Sequence, residues 1–136
     1  MPTVADIDFT DEYFKINQDA GVIEAAKCLR DKDVEYLVVI NDEDEPIGVI
    51  TERIIVIKAV AEGKIDLKMR NILENIDPVH KTDKIQKVLE KLEEHDLPVV
   101  PVIDENKKLI GAVTISDCMG AGFKWDTDVS TALPSE

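Results

Sequence analysis

Thr114, Ser116 and Asp117 stand within four consecutive positions, in the run LIGAVTISDC at 109–118. An ionised carboxylate can accept hydrogen bonds from two neighbouring hydroxyls, and a ribose presents such a pair at its 2′ and 3′ positions. The Thr114 and Ser116 hydroxyls can bond ribose or phosphate oxygens. The segment reads as a strand entering a helix, whose first turn has free N–H groups and a positive dipole end that suit an anion. The spacing makes a compact ribose-phosphate grip. Ser and Asp are also favoured helix caps, so the same residues fit a purely structural role.

A near copy of this phrase, PIGVITERII, stands earlier at 46–55. Aligning Gly48 with Gly111 sets an ungapped offset of 63 residues. That offset also pairs Leu29 with Leu92, Asp33 with Asp96, Val39 with Val102, and Thr51 with Thr114. Most paired positions are apolar, as expected where the fold repeats and the surface is free to vary. The acid is not repeated, because Ile54 occupies the place of Asp117. A second site built on Thr51 and Ile54 could not hold a ribose hydroxyl, and burying that hydroxyl unpaired is costly. It is expected to be empty, degenerate or selective for a ligand lacking the ribose pair. Arg53 beside it could reach a phosphate or stand as a solvated helix charge.

Each copy predicts β-α-β-β-α. First strands are expected around 14–16 and 78–80, followed by amphipathic helices. Asp19 and Thr82 are the expected N-caps. Ile85, Val88, Leu89 and Leu92 recur at helical spacing. The strands YLVVIN and VVPVID are β-branched and apolar. The turns DEDEP and ENKK separate them from the strands that carry the repeated glycines. Gly63 is the expected stop of the helix after the first glycine strand. The boundaries read as a lead over 1–11, a first repeat over 12–63, a linker with a short helix over 64–76, a second repeat over 77–121, and a tail over 122–136. Each repeat buries too little alone, so the two should share a core.

The 136 residues are 44% hydrophobic, 33% charged and 4% aromatic, with a net charge of −13. An aliphatic core is implied. The acidity excludes phosphate-driven nucleic-acid binding and disfavours an anionic membrane surface. Two cysteines make no disulfide framework, and no apolar run approaches a membrane span. With no signal-like start, the expectation is a reducing cytoplasm. The run NDEDEP at 41–46 lacks the ligand order of a calcium loop, and His80 and His95 lack zinc-ligand spacing with either cysteine. No P-loop and no nucleophile-base order is present, so neither a metal nor a catalytic role is expected.

The paired repeat, the blocks LVVINDEDEPIGVIT and VPVIDENKKLIGAVT, and TISD opening the last helix resemble the cystathionine β-synthase (CBS) domain in its tandem pair, the Bateman module. The resemblance covers about residues 12–121. It implies an α/β (α+β) fold of two repeats about a pseudo-two-fold axis. It also implies an adenosine-containing effector (AMP, ADP, ATP or S-adenosylmethionine) bound between the repeats, signalling to a regulated partner, and a homodimer rather than a catalyst. The site it implies joins Thr114, Ser116 and Asp117 to Ala112 beneath the ligand. Phe14, Lys15, Val34, Glu35 and Tyr36 form the opposite wall, with Val34 and Tyr36 backbone reading the base. Phe14 and Val34 also fit an ordinary core, and Tyr36 an inter-repeat contact. Some relatives carry basic phosphate contacts where this chain reads Leu97-Pro98-Val99, which favours AMP or S-adenosylmethionine over ATP. A purely structural adaptor, with Trp125 of the tail as its anchor, is the alternative.

Overall fold

The computed structural model describes residues 2–9 and 13–120. In the first half, β1 (Lys15–Asn17) is followed by α1 (Val22–Lys32), β2 (Tyr36–Ile40) and β3 (Pro46–Thr51). Next come α2 (Glu52–Ile55), which continues as a π-turn over Val56–Val60, and the short α3 (Met69–Ile72). The second half holds α4 (Ile85–His95), β4 (Val99–Ile103), β5 (Leu109–Thr114) and α5 (Ile115–Gly120). In the first sheet β1 lies parallel to β2, and β2 antiparallel to β3. In the second, β4 and β5 are antiparallel.

The repeat is visible in the backbone itself. Among the described residues four non-glycine residues have positive φ, and they form two pairs at the repeat offset: Asp33 with Asp96, and Asp44 with Lys107. Asp33 and Asp96 end α1 and α4 in the left-handed conformation, which Asp tolerates better than most side chains. Gly63, at φ 67°, closes the turn after the π-segment as its position predicts.

The second repeat departs from the expected strand over 78–80. Only Val79 pairs with β4, donating to the Pro101 carbonyl at 2.9 Å and accepting from Ile103 at 2.9 Å. Pro78 has no N–H to extend the ladder, and the His80 N–H turns to Asp83 Oδ2 at 2.8 Å. The expected caps also differ. The N-cap positions of α1 and α4 are Gly21 and Lys84, not Asp19 and Thr82. Backbone carbonyls from elsewhere take their place: Val22 N–H donates to the Leu67 carbonyl, and Ile85 N–H to the Pro2 carbonyl. Asp19 instead pairs with Arg70 of α3.

Those two carbonyls belong to the segments expected as linker and lead, and both segments are integral to the halves. Residues 67–74 dock on the first half, through Met69 N–H to Ala20 and reciprocal bonds between Glu74 and Val49. Residues 2–9 dock on the second half, through Val4 N–H to Asp83 and Ala112 N–H to Phe9. Gly48 and Gly111 lie under these crossings. A Cβ on Gly48 would sit 2.5 Å from the Glu74 carbonyl oxygen, and one on Gly111 would overlap the Phe9 carbonyl. The repeated glycine is therefore a close-approach glycine.

Burial on both faces of the β2–β3 hairpin joins the halves. Leu37, Val39 and Ile50 enter the core with Val22, Leu29 and Met69. Val38 and Val49 face the other way, into the core of Ile85, Val88, Leu92 and Val113. Alternating side chains serve two cores, so the strand reads as a continuous apolar run. Among the described residues no polar or charged residue is buried.

Candidate functional site

Two clefts lie between the halves at positions related by the repeat. The larger, about 810 Å³, is lined by Phe14, Lys32–Tyr36, Pro98 and Thr114–Ser116. Its walls are fixed by backbone bonds. The Phe14 carbonyl accepts from Val38 N–H at 2.9 Å, and Val34 N–H donates to Leu29 at the end of α1. The Glu35 carbonyl accepts from Glu52 N–H at 3.3 Å, which ties the loop to the start of α2. Tyr36 pairs with Thr51 and Val99 with Thr114 in the strand registers.

Thr114, which lines this cleft, and Asp117 cap each other. Thr114 N–H donates to Asp117 Oδ2 at 3.0 Å, and Asp117 N–H donates to Thr114 Oγ1 at 3.1 Å. This is a reciprocal capping box with Asp in the third helical position. Both groups are half-buried, and Ser116 is exposed. Cys118, the next residue, is fully buried, and that burial, with the Asp117 charge beside it, pushes its thiol up to about 11.

The structure thus brings Phe14, Val34, Glu35, Tyr36, Thr114 and Ser116 around one cleft, with Asp117 attached through its bond to Thr114. Two residues of the expected set lie apart from the lining. Lys15 turns to the β2–β3 turn, with Nζ 2.9 Å from Asp44 Oδ1, and this contact raises its pKa. Ala112 is buried in β5 beneath Phe9. Lys32, Asp33 and Ile115 line the cleft without having been in the expected set, and so does Pro98, from the stretch read as lacking basic phosphate contacts. The repeated Asp33/Asp96 pair was the available signal for that loop. Lys32 stands with Nζ 5.6 Å from the centre of the Phe14 ring, at a distance typical of a cation–π contact.

The twin cleft is about 220 Å³ and is lined by Thr51, Arg53, Ile54, Ile57, Lys58, Glu74 and His95–Leu97. Arg53 crosses it to Asp96, with Nη1 3.1 Å from Oδ2. Thr51 Oγ1 still accepts from Ile54 N–H at 3.1 Å, but Ile54 has no side-chain acceptor to return the bond. His95 lies 3.5 Å from Glu74 through Nδ1. Small-molecule sites span roughly 300–1,000 Å³, and of these two clefts the Thr114 cleft falls in that range.

Among the described residues no group of three or more His, Cys, Asp and Glu is placed to hold a metal, and no helix is long and apolar enough to cross a membrane. Trp125 and the tail over 122–136 lie outside the described residues.

The alternation of two equivalent halves, each a hairpin flanked by helices, defines a tandem repeat with its clefts at the shared boundary. The CBS domain matches this chain twice, over residues 4–60 and 66–124, and the chain belongs to that family as a tandem pair. Hypoxic response protein 1 of Mycobacterium tuberculosis is 37% identical over 97 residues, covering 68% of this chain and 66% of that protein. The crystal structure of Hypoxic Response Protein I with two coordinated zinc ions superposes with a TM-score of 0.77 at 29% identity, covering 88% of this chain and 98% of that one. An uncharacterized protein of Methanopyrus kandleri is 33% identical over 100 residues, and this chain spans 51% of its length. A homoserine O-acetyltransferase of Methanohalobium evestigatum is 29% identical over 118 residues, which cover 23% of that enzyme. CBSX2 in complex with AMP shares the fold at a TM-score of 0.74 and 21% identity, with 90% of this chain and 96% of that one covered. A CBS domain pair in complex with 5′-methylthioadenosine and S-adenosylmethionine shares it at 0.74 and 24%, with 88% and 94% covered.

Proposed function

We propose that this CBS pair is a regulatory module that binds one adenosine-containing ligand in the Thr114 cleft and signals through a change in the relative pose of its halves. The observation that carries the reading is the inequality of the two clefts. One is about 810 Å³ and is lined by Thr114, to which Asp117 is hydrogen-bonded; its twin is about 220 Å³, crossed by Arg53–Asp96, with Ile54 in place of the acid. In this reading Asp117 receives the ribose hydroxyls through the acceptor capacity left by its bond to Thr114 N–H. Thr114 and Ser116 line the sugar and the 5′ group, while Phe14, Val34 and Tyr36 enclose the base. The AMP and S-adenosylmethionine complexes of CBS pairs with this fold support the ligand class. The ligand shifts the pose only by binding one arrangement of the halves more tightly than another.

Exposed Val56 and Met119 occupy equivalent places at the repeat offset, with Ile57, Val60 and Ile115 exposed nearby in sequence. Equivalent apolar positions on both halves suit a homodimer, which is the assembly proposed for the module. Titration calorimetry with adenosine, AMP, ADP, ATP, NAD and S-adenosylmethionine tests the ligand reading. Saturable binding of at least one adenosyl compound at one per chain is expected. No heat and no thermal shift with any of them would leave the structural adaptor as the better account.

A further inference from the structure

The described lining of the larger cleft carries two carboxylates, Asp33 and Glu35, against one ammonium, Lys32, and its twin shows why. In the twin, Asp96 at the end of α4 is held by Arg53 at 3.1 Å. The repeat places Asp33 and Ser116 at the corresponding positions, and both line the larger cleft. Replacing the arginine by serine removes the bar across the cleft and also leaves the aspartate without its cation. Glu35 adds a second carboxylate two residues on. Among the described residues, neither Asp33 nor Glu35 enters a side-chain hydrogen bond or ion pair. Lys32, the one cation of the described lining, lies against the Phe14 ring. No described arginine lines the cleft, and Pro98 stands on the wall opposite the Asp33–Glu35 loop.

We infer that Asp33, with Glu35, is the specificity-determining charge of this cleft and selects adenosyl ligands bearing a cationic 5′ substituent, of the S-adenosylmethionine kind, against those bearing 5′-phosphates. The inference rests on the cleft being an adenosyl site and adds a direction to its selectivity. Asp96 and Arg53 meet across the twin cleft, so their counterparts Asp33 and Ser116 put the carboxylate near the 5′ group that Ser116 lines. A sulfonium or ammonium there gains attraction. A phosphate there meets like charge, and more so with each added phosphate. Both carboxylates face solvent at the rim, so each should shift affinity modestly, by about two- to fivefold.

Calorimetry on the full chain at low salt with S-adenosylmethionine, neutral 5′-methylthioadenosine, AMP and ATP provides the test. The expected order is S-adenosylmethionine tighter than AMP, and AMP tighter than ATP. Asp33→Asn keeps a residue that accepts the left-handed backbone, and it should lower the ratio of S-adenosylmethionine to methylthioadenosine affinity by about two- to fivefold. The AMP to methylthioadenosine ratio should rise by a similar factor. Glu35→Gln, at an exposed position in an extended loop, should move both ratios the same way. ATP or AMP binding tightest, or ratios unmoved in both variants, would overturn the selectivity while leaving the adenosyl site standing. Failure of all four compounds to bind would overturn both.

Discussion

Asp117 Oδ2 accepts from Thr114 N–H at 3.0 Å while Thr114 Oγ1 accepts from Asp117 N–H at 3.1 Å. The equivalent pair in the first repeat, Thr51 and Ile54, keeps only the second of these bonds. The acid that distinguishes LIGAVTISDC from its earlier copy thus has a structural task, completing a cap. The proposed ligand contact is an additional task for the same carboxylate.

The two tasks separate by mutation. Asp117→Asn retains an amide oxygen able to accept from Thr114 N–H, so its stability should fall by less than about 0.5 kcal/mol. Asp117→Ala should lose about 1 kcal/mol, as cap removals do. Both should weaken adenosyl binding by about ten- to a hundredfold, because each removes charge-assisted hydrogen bonds. Urea unfolding beside calorimetry checks this. Wild-type affinity in Asp117→Asn would confine the residue to capping.

The closed twin should be convertible. Arg53 and Asp96 side chains are 74% and 86% exposed, so their ion pair contributes less than about 1 kcal/mol and its loss should not unfold the protein. The double change Arg53→Ser with Ile54→Asp puts the Ser116–Asp117 pair of the larger cleft at the equivalent positions of the smaller one. Binding stoichiometry should rise from one ligand per chain toward two. A stoichiometry that stays at one would show that the closure lies in the backbone and not in these two side chains.

The clearest sequence signals concern what repeats locally. Aliphatic periodicity located α1, α4 and the hairpins, because a buried face writes itself at spacings of two or three to four. The loss of one of the two capping bonds in the first repeat was legible from Ile54 against Asp117. The helix starts were not: Pro2 and Leu67 satisfy them with main-chain carbonyls, which leave no side-chain signature. The roles of residues 2–9 and 67–74 were hidden for the same reason, since docking through backbone bonds is compatible with many sequences. Lys15 was drawn out of the expected wall by Asp44, a partner 29 residues away that local spacing cannot reveal. Lys32 and Asp33 entered the cleft because α1 ends there in a left-handed residue, a detail of capping geometry.

The crossing of residues 2–9 over β5 gives Gly111 a steric role. Gly111→Ala should push Phe9 away and break the Ala112 to Phe9 bond, costing about 1–3 kcal/mol. Gly48→Ala should act alike on Glu74 and Leu73 in the first half. Gly21→Ala is the control, since nothing lies within 4 Å of its added methyl. Chemical denaturation ranks the three. Equal, small losses would mean that the two crossing segments yield easily.

Asp83 gives the second half a pH-dependent fastening. Burial alone would raise its carboxyl pKa, but the His80 N–H and the Lys87 ammonium outweigh it, and the net direction is downward from 3.8. A carboxylate with a lowered folded pKa contributes stability that is present above its unfolded value near 3.8. That contribution is lost as pH falls through the lower folded value. Asp83 also accepts the Val4 N–H through its own carbonyl, so the turn it braces anchors the docked lead. Asp83→Asn should cost about 1 kcal/mol at pH 7, where wild type holds the charged bonds. The gap should narrow as pH is lowered below about 4, because protonated wild type loses the same interactions. Urea midpoints measured from pH 7 to pH 2.5 give the comparison. A gap that persists unchanged at the acid end would assign the loss to packing of the turn instead of to charge.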